Sequence, residues 1–309
     1  MHRVAAIVAV AMSYASGFAV AAEHKTVRVA AGVYVLRPAA EIEGEDRLRG
    51  ANVAFVVGPR GVAVIDTGIS YREGLDIIVA VRRVTRQPIR LAILTHPGQE
   101  SIFGAAAFQA RRIPVLMHRE AAALMASRCE MCLRNLKASL GEDAMAATRV
   151  VEPDRLINGD EAIDAIGRRL RVIAPAWSSA PGALAVLDER TSTLIAGNLV
   201  SIRSVPDTRD ADARGWRDAL VVLAATRCRH LIPSYGAIGR CSDIDSFARY
   251  FNDLETRVAA LLRQDVSLAE LDDRCEMPEY ASWDRYDALH RLNASRAYLR
   301  LERALFDVR

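Results

Sequence analysis

A chain of 309 residues that is 51% hydrophobic and 26% charged has an ordinary globular balance, with material for one large core or two small ones. Its formal charge is only +3 and its basic residues are scattered, which argues against a nucleic-acid footprint. Aromatic residues make up 6%, so Ala, Val, Leu and Ile must supply most of the core.

The opening stretch MHRVAAIVAVAMSYASGFAVAAEHK predicts a secretion signal. Arg3 gives a positive start, residues 4–12 are apolar, and Ala19-Val20-Ala21 offers a small-x-small cleavage site. A spanning anchor would need about 20 uninterrupted apolar residues. The expectation is a signal peptide over residues 1–22, a single domain over 23–309, a periplasmic location and no membrane span after cleavage. Export permits disulfides among Cys129, Cys132, Cys228, Cys241 and Cys275, and the odd count leaves at least one thiol over.

Residues 27–36 alternate and predict a first strand. Residues 52–68 predict a hairpin about Gly58-Pro59-Arg60-Gly61. Residues 71–84 carry helical spacing, with Leu75, Ile78 and Val79 on one face, and Pro88 precedes a buried-type strand over 89–96. A helix is expected over 101–111, a strand over 113–118 and a largely helical stretch over 119–147. The second half repeats the plan. Strands are expected over 168–176 and 229–236, with a hairpin about residues 188–191 and a helix over 214–225 between them. From Asp243 onward the pattern is helical, with Leu254, Val258, Leu261 and Leu262 as one stripe and an amphipathic helix at the end. Strand-rich then helix-rich order, given twice, predicts an α/β fold with two β-sheets packed face to face and helices outside, an αββα sandwich.

That order, with Val64-Ile-Asp-Thr-Gly68, Ile93-Leu-Thr-His96, Leu194-Ile-Ala-Gly-Asn198 and Leu231-Ile-Pro-Ser-Tyr-Gly236 in sequence, resembles the metallo-β-lactamase superfamily. In that family the strand-end loop reads Thr-His-x-His-x-Asp-His, then two residues and a glycine. Residues 95–104 keep this register without a gap. Only His96 stands as a histidine; Gly98, Glu100 and Ser101 occupy the other three places. By the same resemblance, Ser179 stands at the next ligand histidine, Asn198 at the bridging aspartate and Tyr235 at the last histidine. The turn glycines Gly68, Gly104, Gly182, Gly197 and Gly236 all remain. Residues 129–157 and 289–302 look like the subgroup of SoxH-related quinoprotein relay system zinc metallohydrolases. These are exported proteins encoded near pyrroloquinoline-quinone-dependent dehydrogenases. The resemblance implies a partner of that kind and zinc, whereas the residues imply no metal and no other cofactor.

A structural zinc site is worth about 10–16 kcal/mol. Shared over four ligands, one histidine would keep about 3–4 kcal/mol, which is about millimolar affinity. His96 therefore reads as a loop residue bonded to neighbours such as Asp66, itself a loop-organising carboxylate. A weak two-ligand site with Glu100, or a serine nucleophile among Ser101, Ser178 and Ser179 with His96 as base, are the alternatives; no Gly-x-Ser-x-Gly elbow supports the second. Cys129-Glu-Met-Cys132 lacks the histidine of a haem attachment and has no nearby second ligand pair for zinc. A disulfide between Cys129 and Cys132, structural or redox-active, is expected instead. His118, His230 and His290 read as packed or exposed, and Trp177 as a residue of the cleft mouth. The combined expectation is a pseudoenzyme that binds a small organic ligand or a quinoprotein dehydrogenase through the old active-site cleft. The rivals are a hydrolase with a displaced metal and a thiol-redox partner.

Overall fold

The computed structural model describes residues 25–37 and 50–307; the expected signal peptide lies outside them. One sheet is formed by β1 (Lys25–Ala30), β2 (Val33–Arg37), β3 (Val53–Gly58), β4 (Gly61–Ile65), β5 (Ile89–Ile93), β6 (Val115–His118) and β7 (Arg155–Ile157), in that order across the sheet. Strands β1 to β4 are antiparallel, and β4 to β7 are parallel. The second sheet comprises β8 (Glu161–Ile163), β9 (Leu170–Ile173), β10 (Ala185–Asp188), β11 (Thr193–Ser201) and β12 (His230–Tyr235). It is antiparallel except for the β11–β12 pair. Helices α1 (Tyr71–Val84), α2 (Gln99–Ile102), α3 (Ala105–Gln109) and α4 (Arg119–Leu140) belong to the first half of the chain. Helices α5 (Ala213–Ala225), α6 (Asp243–Leu262), α7 (Leu271–Arg274) and α8 (Tyr286–Asp307) belong to the second.

The apolar runs of β3 and β4 are continuous because both faces of the sheet are covered. Ala54, Val56, Ala63 and Ile65 enter a central core with Leu184, Val186 and Ile195 of the other sheet. Val53, Phe55, Val62 and Val64 point the other way, into a core with Ile77, Phe108 and Met125 of α1, α3 and α4. A third core joins the second sheet to Trp216 of α5, Phe247 and Leu254 of α6 and Tyr298 of α8. Three cores between four layers make the expected αββα sandwich. At one end Arg168 clamps the sheets: it reaches Asp188 of β10 through its Nε at 2.6 Å and donates to the Ala31 and Val57 carbonyls.

Several boundaries differ from the sequence expectation. The first strand is two, turned at Gly32. The helix expected over 101–111 is two short ones separated at Gly104, and that over 119–147 ends at Leu140. The short pair β7 and β8 and helix α7 were not foreseen, since three or four residues carry too little periodicity.

Gly104 is required by contact rather than by its dihedrals. A Cβ there would lie 1.7 Å from the Thr67 carbonyl oxygen, and the Gly104 amide donates to the Gly68 carbonyl at 3.0 Å. This contact seats α2 and α3 on the loop after β4. Gly104→Ala is expected to destabilise the fold by about 3 kcal/mol, measured by urea unfolding, because backbone rather than a side-chain tip must give way. A loss below about 0.5 kcal/mol would show that the contact is slack.

Candidate functional site

Strands β4 and β5 run parallel, and the loops that follow them carry Asp66 and Thr95-His96 at one edge. That is where side chains in such sheets meet ligands. The second sheet is tied to this edge by three bonds. The Leu184 amide donates to the Thr95 carbonyl at 2.9 Å, the Asn52 amide to Ser234 O at 2.8 Å, and Asn52 Nδ2 to Pro233 O at 2.9 Å. Asn198 and Tyr235, on the neighbouring strands β11 and β12, thereby come to face His96 across one cleft of about 1240 Å³.

A chain of hydrogen bonds crosses the floor of this cleft. Asp66, in the left-handed region at φ 64°, accepts from the Thr95 amide at 2.8 Å and from Thr95 Oγ1 at 2.9 Å. Thr95 Oγ1 lies 2.9 Å from His96 Nδ1, and His96 Nε2 lies 3.0 Å from Glu100 Oε1. Tyr235, on the opposite sheet, helps to hold the Glu100 carboxyl low. Since the Thr95 hydroxyl gives its one proton to Asp66, it accepts from Nδ1, and His96 carries protons on both nitrogens. The floor therefore holds a buried imidazolium–carboxylate pair.

The titration behaviour follows from that pair. Burial alone would disfavour the charged forms of both residues. For His96 the hydrogen bond and charge of Glu100, with Asp66 behind, outweigh burial and raise its pKa. For Glu100 the His96 bond and charge outweigh burial and lower the carboxyl to about 2. Burial dominates at Asp66, whose carboxyl rises to about 6.

The remaining expected residues divide into two groups. Ser179 Oγ donates to Asn198 Oδ1 at 2.9 Å, and both line the cleft with His96, Gly98, Glu100 and Tyr235. Ser101 does not reach it; its side chain is fully buried with an unpartnered hydroxyl, and its carbonyl accepts from Thr67 Oγ1 at 2.7 Å. Asp66 acts from behind Thr95. His118 caps α4, and His290 is buried against the Cys275 carbonyl, so both are packing residues. Trp177 is exposed and donates through its indole to the Asp210 carbonyl at 2.6 Å. Thr95 is the residue that sequence reasoning missed: its hydroxyl joins Asp66 to His96, and only its place beside the histidine hinted at this.

The expected Cys129–Cys132 disulfide is corrected. Cys228 pairs with Cys241, bracketing β12, while Cys129, Cys132 and Cys275 are free thiols. Cys129 and Cys132 lie well inside α4, which begins at Arg119, so the pliable helix start that the bond required is not there. Their thiols turn toward different carbonyls, Pro97 O at 4.0 Å and Arg128 O at 3.6 Å. Burial and the neighbouring Cys132 push the Cys129 thiol up to about 12, the opposite of an exchange-active thiolate.

A catalytic zinc ion needs three protein donors converging at about 2.0–2.3 Å. Both nitrogens of His96 are engaged, Glu100 is held by His96 and Tyr235, and Ser179 is bonded to Asn198. Among the described residues no group of three His, Cys, Asp or Glu side chains converges on one point. At Gly98 a Cβ would meet His96 Nε2 at 2.3 Å and Glu100 Oε1 at 2.5 Å, so a side chain there could not coexist with the pair. These residues do not fit a zinc ion.

Residues 46–234 match the model of the metallo-β-lactamase superfamily. The chain belongs to that superfamily. Solved structures similar to it include a metallo-β-lactamase from Pontibacter korlensis, at 18% identity and TM-score 0.63 over 74% of this chain and 99% of that one. Another, from Hirschia baltica, has 16% identity and TM-score 0.61 over 74% and 97%. A double mutant of the sec-alkyl sulfatase PisA1 has 15% identity and TM-score 0.68 over 90% of this chain and 50% of that one. At these identities the likeness is one of fold. No curated protein matches the chain by sequence. The superfamily match ends one residue before Tyr235, so α6 to α8 lie beyond it.

The ion pair sets a stability window. Glu100 contributes stability that is present above its ordinary 4.5 and lost as pH falls toward 2. His96 contributes stability that is present below its ordinary 6.5 and lost as pH rises through its higher folded value. Asp66, raised by burial from its ordinary 3.8 to about 6, contributes stability that is present below 3.8 and lost as pH rises to about 6. Stability should therefore peak between pH 3.8 and 4.5, fall toward pH 6 as Asp66 resists ionisation, and fall again above 6.5 as His96 loses its proton. Glu100→Gln should lose about 3 kcal/mol at that peak and flatten both flanks, as followed by thermal unfolding against pH. An unchanged profile in the variant would refute the charged pair.

Proposed function

We propose that this superfamily member is a non-catalytic binding protein whose strand-end cleft takes a polar organic ligand where a hydrolase of the superfamily would take metal. The observation that carries this reading is the His96–Glu100 pair at 3.0 Å, which engages the surviving histidine and leaves no convergent donor set. The lining supports it. Asn198 accepts from Ser179 through its oxygen, so its amide N–H groups face the cleft without a partner among the described residues. A large cleft with a few converging polar groups is the usual form of a small-molecule site.

The biological setting is a further part of the proposal. The resemblance of residues 129–157 and 289–302 to quinoprotein relay proteins supports a role beside a pyrroloquinoline-quinone-dependent alcohol dehydrogenase. The signal-like composition of residues 1–22 supports a periplasmic setting as part of this reading. Neither a displaced-metal hydrolase nor a thiol-redox partner gains support, given the scattered donors and the high Cys129 pKa.

Calorimetric titration of pyrroloquinoline quinone, small carbonyl compounds and zinc into the purified protein tests the reading. The expected result is binding of an organic ligand that weakens about tenfold or more in Asn198→Ala and Tyr235→Ala, with zinc no tighter than about millimolar. Stoichiometric zinc at micromolar affinity, or organic ligands bound equally by both variants, would overturn it.

A further inference from the structure

Arg285 stands on the chain between the second sheet's outer helices, immediately before α8. Its backbone lies in the left-handed region at φ 65°, which costs a non-glycine residue about 1 kcal/mol or more. This conformation delivers the side chain into the cleft, where the guanidinium carbon sits 4.4 Å from the centre of the Tyr235 ring. With its carbon over the ring face, the guanidinium still has a planar fork of N–H donors to offer along its edge. No hydrogen bond or ion pair occupies that edge among the described residues.

An unpaired arginine beside several acids needs explaining, since a carboxylate would ordinarily take it. The nearby acids are committed elsewhere. Glu100 is bonded to His96 at 3.0 Å, Asp210 to Arg128 at 2.6 Å, and Asp207 to Arg209 and Arg296 at 3.0 Å each, while Asp284 has an interaction of its own. Asp287 on the rim is exposed, so solvent and salt screen its opposing field. Asn198, on the strand neighbouring that of Tyr235, lines the same cleft, and its amide offers the second set of open N–H donors.

We propose that the open guanidinium edge of Arg285, with the Asn198 amide, makes this cleft a recognition site for a small organic carboxylate. The proposal rests on the cleft being the working surface and names the chemical class that it takes. Arginine matches a carboxylate because two parallel N–H donors meet two coplanar oxygens. A neutral amide of the same shape satisfies only one side of that fork. Neutral isosteres should therefore bind more weakly without being excluded.

Benzoate and benzamide differ in this respect and little in shape. Their affinities for the full-length protein, followed by NMR shift changes of the Asn198 side-chain amide, should differ by about tenfold in favour of benzoate. Arg285→Gln should abolish the preference, because benzoate loses both sides of the fork and benzamide only one. Arg285→Gly removes the same fork and relieves the left-handed backbone, so it keeps the test valid if the glutamine variant folds poorly. Asn198→Ala, followed by calorimetry because it removes the NMR probe, should weaken both ligands. If the wild type shows no preference for benzoate, or both Arg285 variants retain it, the inference is overturned while the cleft stands as a binding site. If neither ligand perturbs the Asn198 amide, the cleft reading fails and this inference fails with it.

Discussion

A buried histidine cation facing a buried carboxylate is expensive to desolvate, and both charges persist only while their partners hold them. The His96–Glu100 pair meets that condition through contacts on every side. Thr95 and Asp66 support the far nitrogen, Tyr235 supports the carboxylate, and Gly98 leaves the space in which the two side chains meet. Remove the space at Gly98 and the pair must open; remove Glu100 and His96 becomes an unpaired buried base. The hydrogen-bonded character of the cleft floor follows from this one arrangement.

The fold supplies the positions and the lining supplies the chemistry, and the two are separable. Parallel strands β4 and β5 bring Asp66 and His96 to one edge, and β11 and β12 bring Asn198 and Tyr235 to face them. Gly104 seats its loop against Thr67 without regard to what His96 binds. This separation explains how a chain can match the superfamily over residues 46–234 while its site holds an internal ion pair. It also explains the low identity to structures of the same fold, because packing constrains volume and pattern more than residue names.

Much of the frame was legible in the sequence because it rests on local signals. The continuous apolar runs about Gly58 and Gly61 gave the β3–β4 hairpin, and the 3.6-residue spacing gave α1 and α6. The glycine after the His96 loop was legible as a fixed point, though its reason, a close approach to Thr67, was not. What stayed hidden depends on contacts between distant residues. Cys228 and Cys241 pair because the chain doubles back after β12, bonding Gly239 to Leu231, whereas the short spacing of Cys129 and Cys132 suggested a bond that an unbroken helix does not make. Arg285 reaches Tyr235 only after the chain has passed through α6 and α7, and nothing near it in sequence marks that return.

The protonation state of His96 bears most directly on whether a charge pair occupies this floor. Nitrogen-15 NMR of the imidazole ring distinguishes a doubly protonated ring from either neutral tautomer. At pH 6.5 both ring nitrogens of His96 should carry protons, and the ring should titrate above 6.5, the ordinary histidine value. A neutral ring at that pH, with one nitrogen bare and able to take a metal ion, would contradict the internal ion pair.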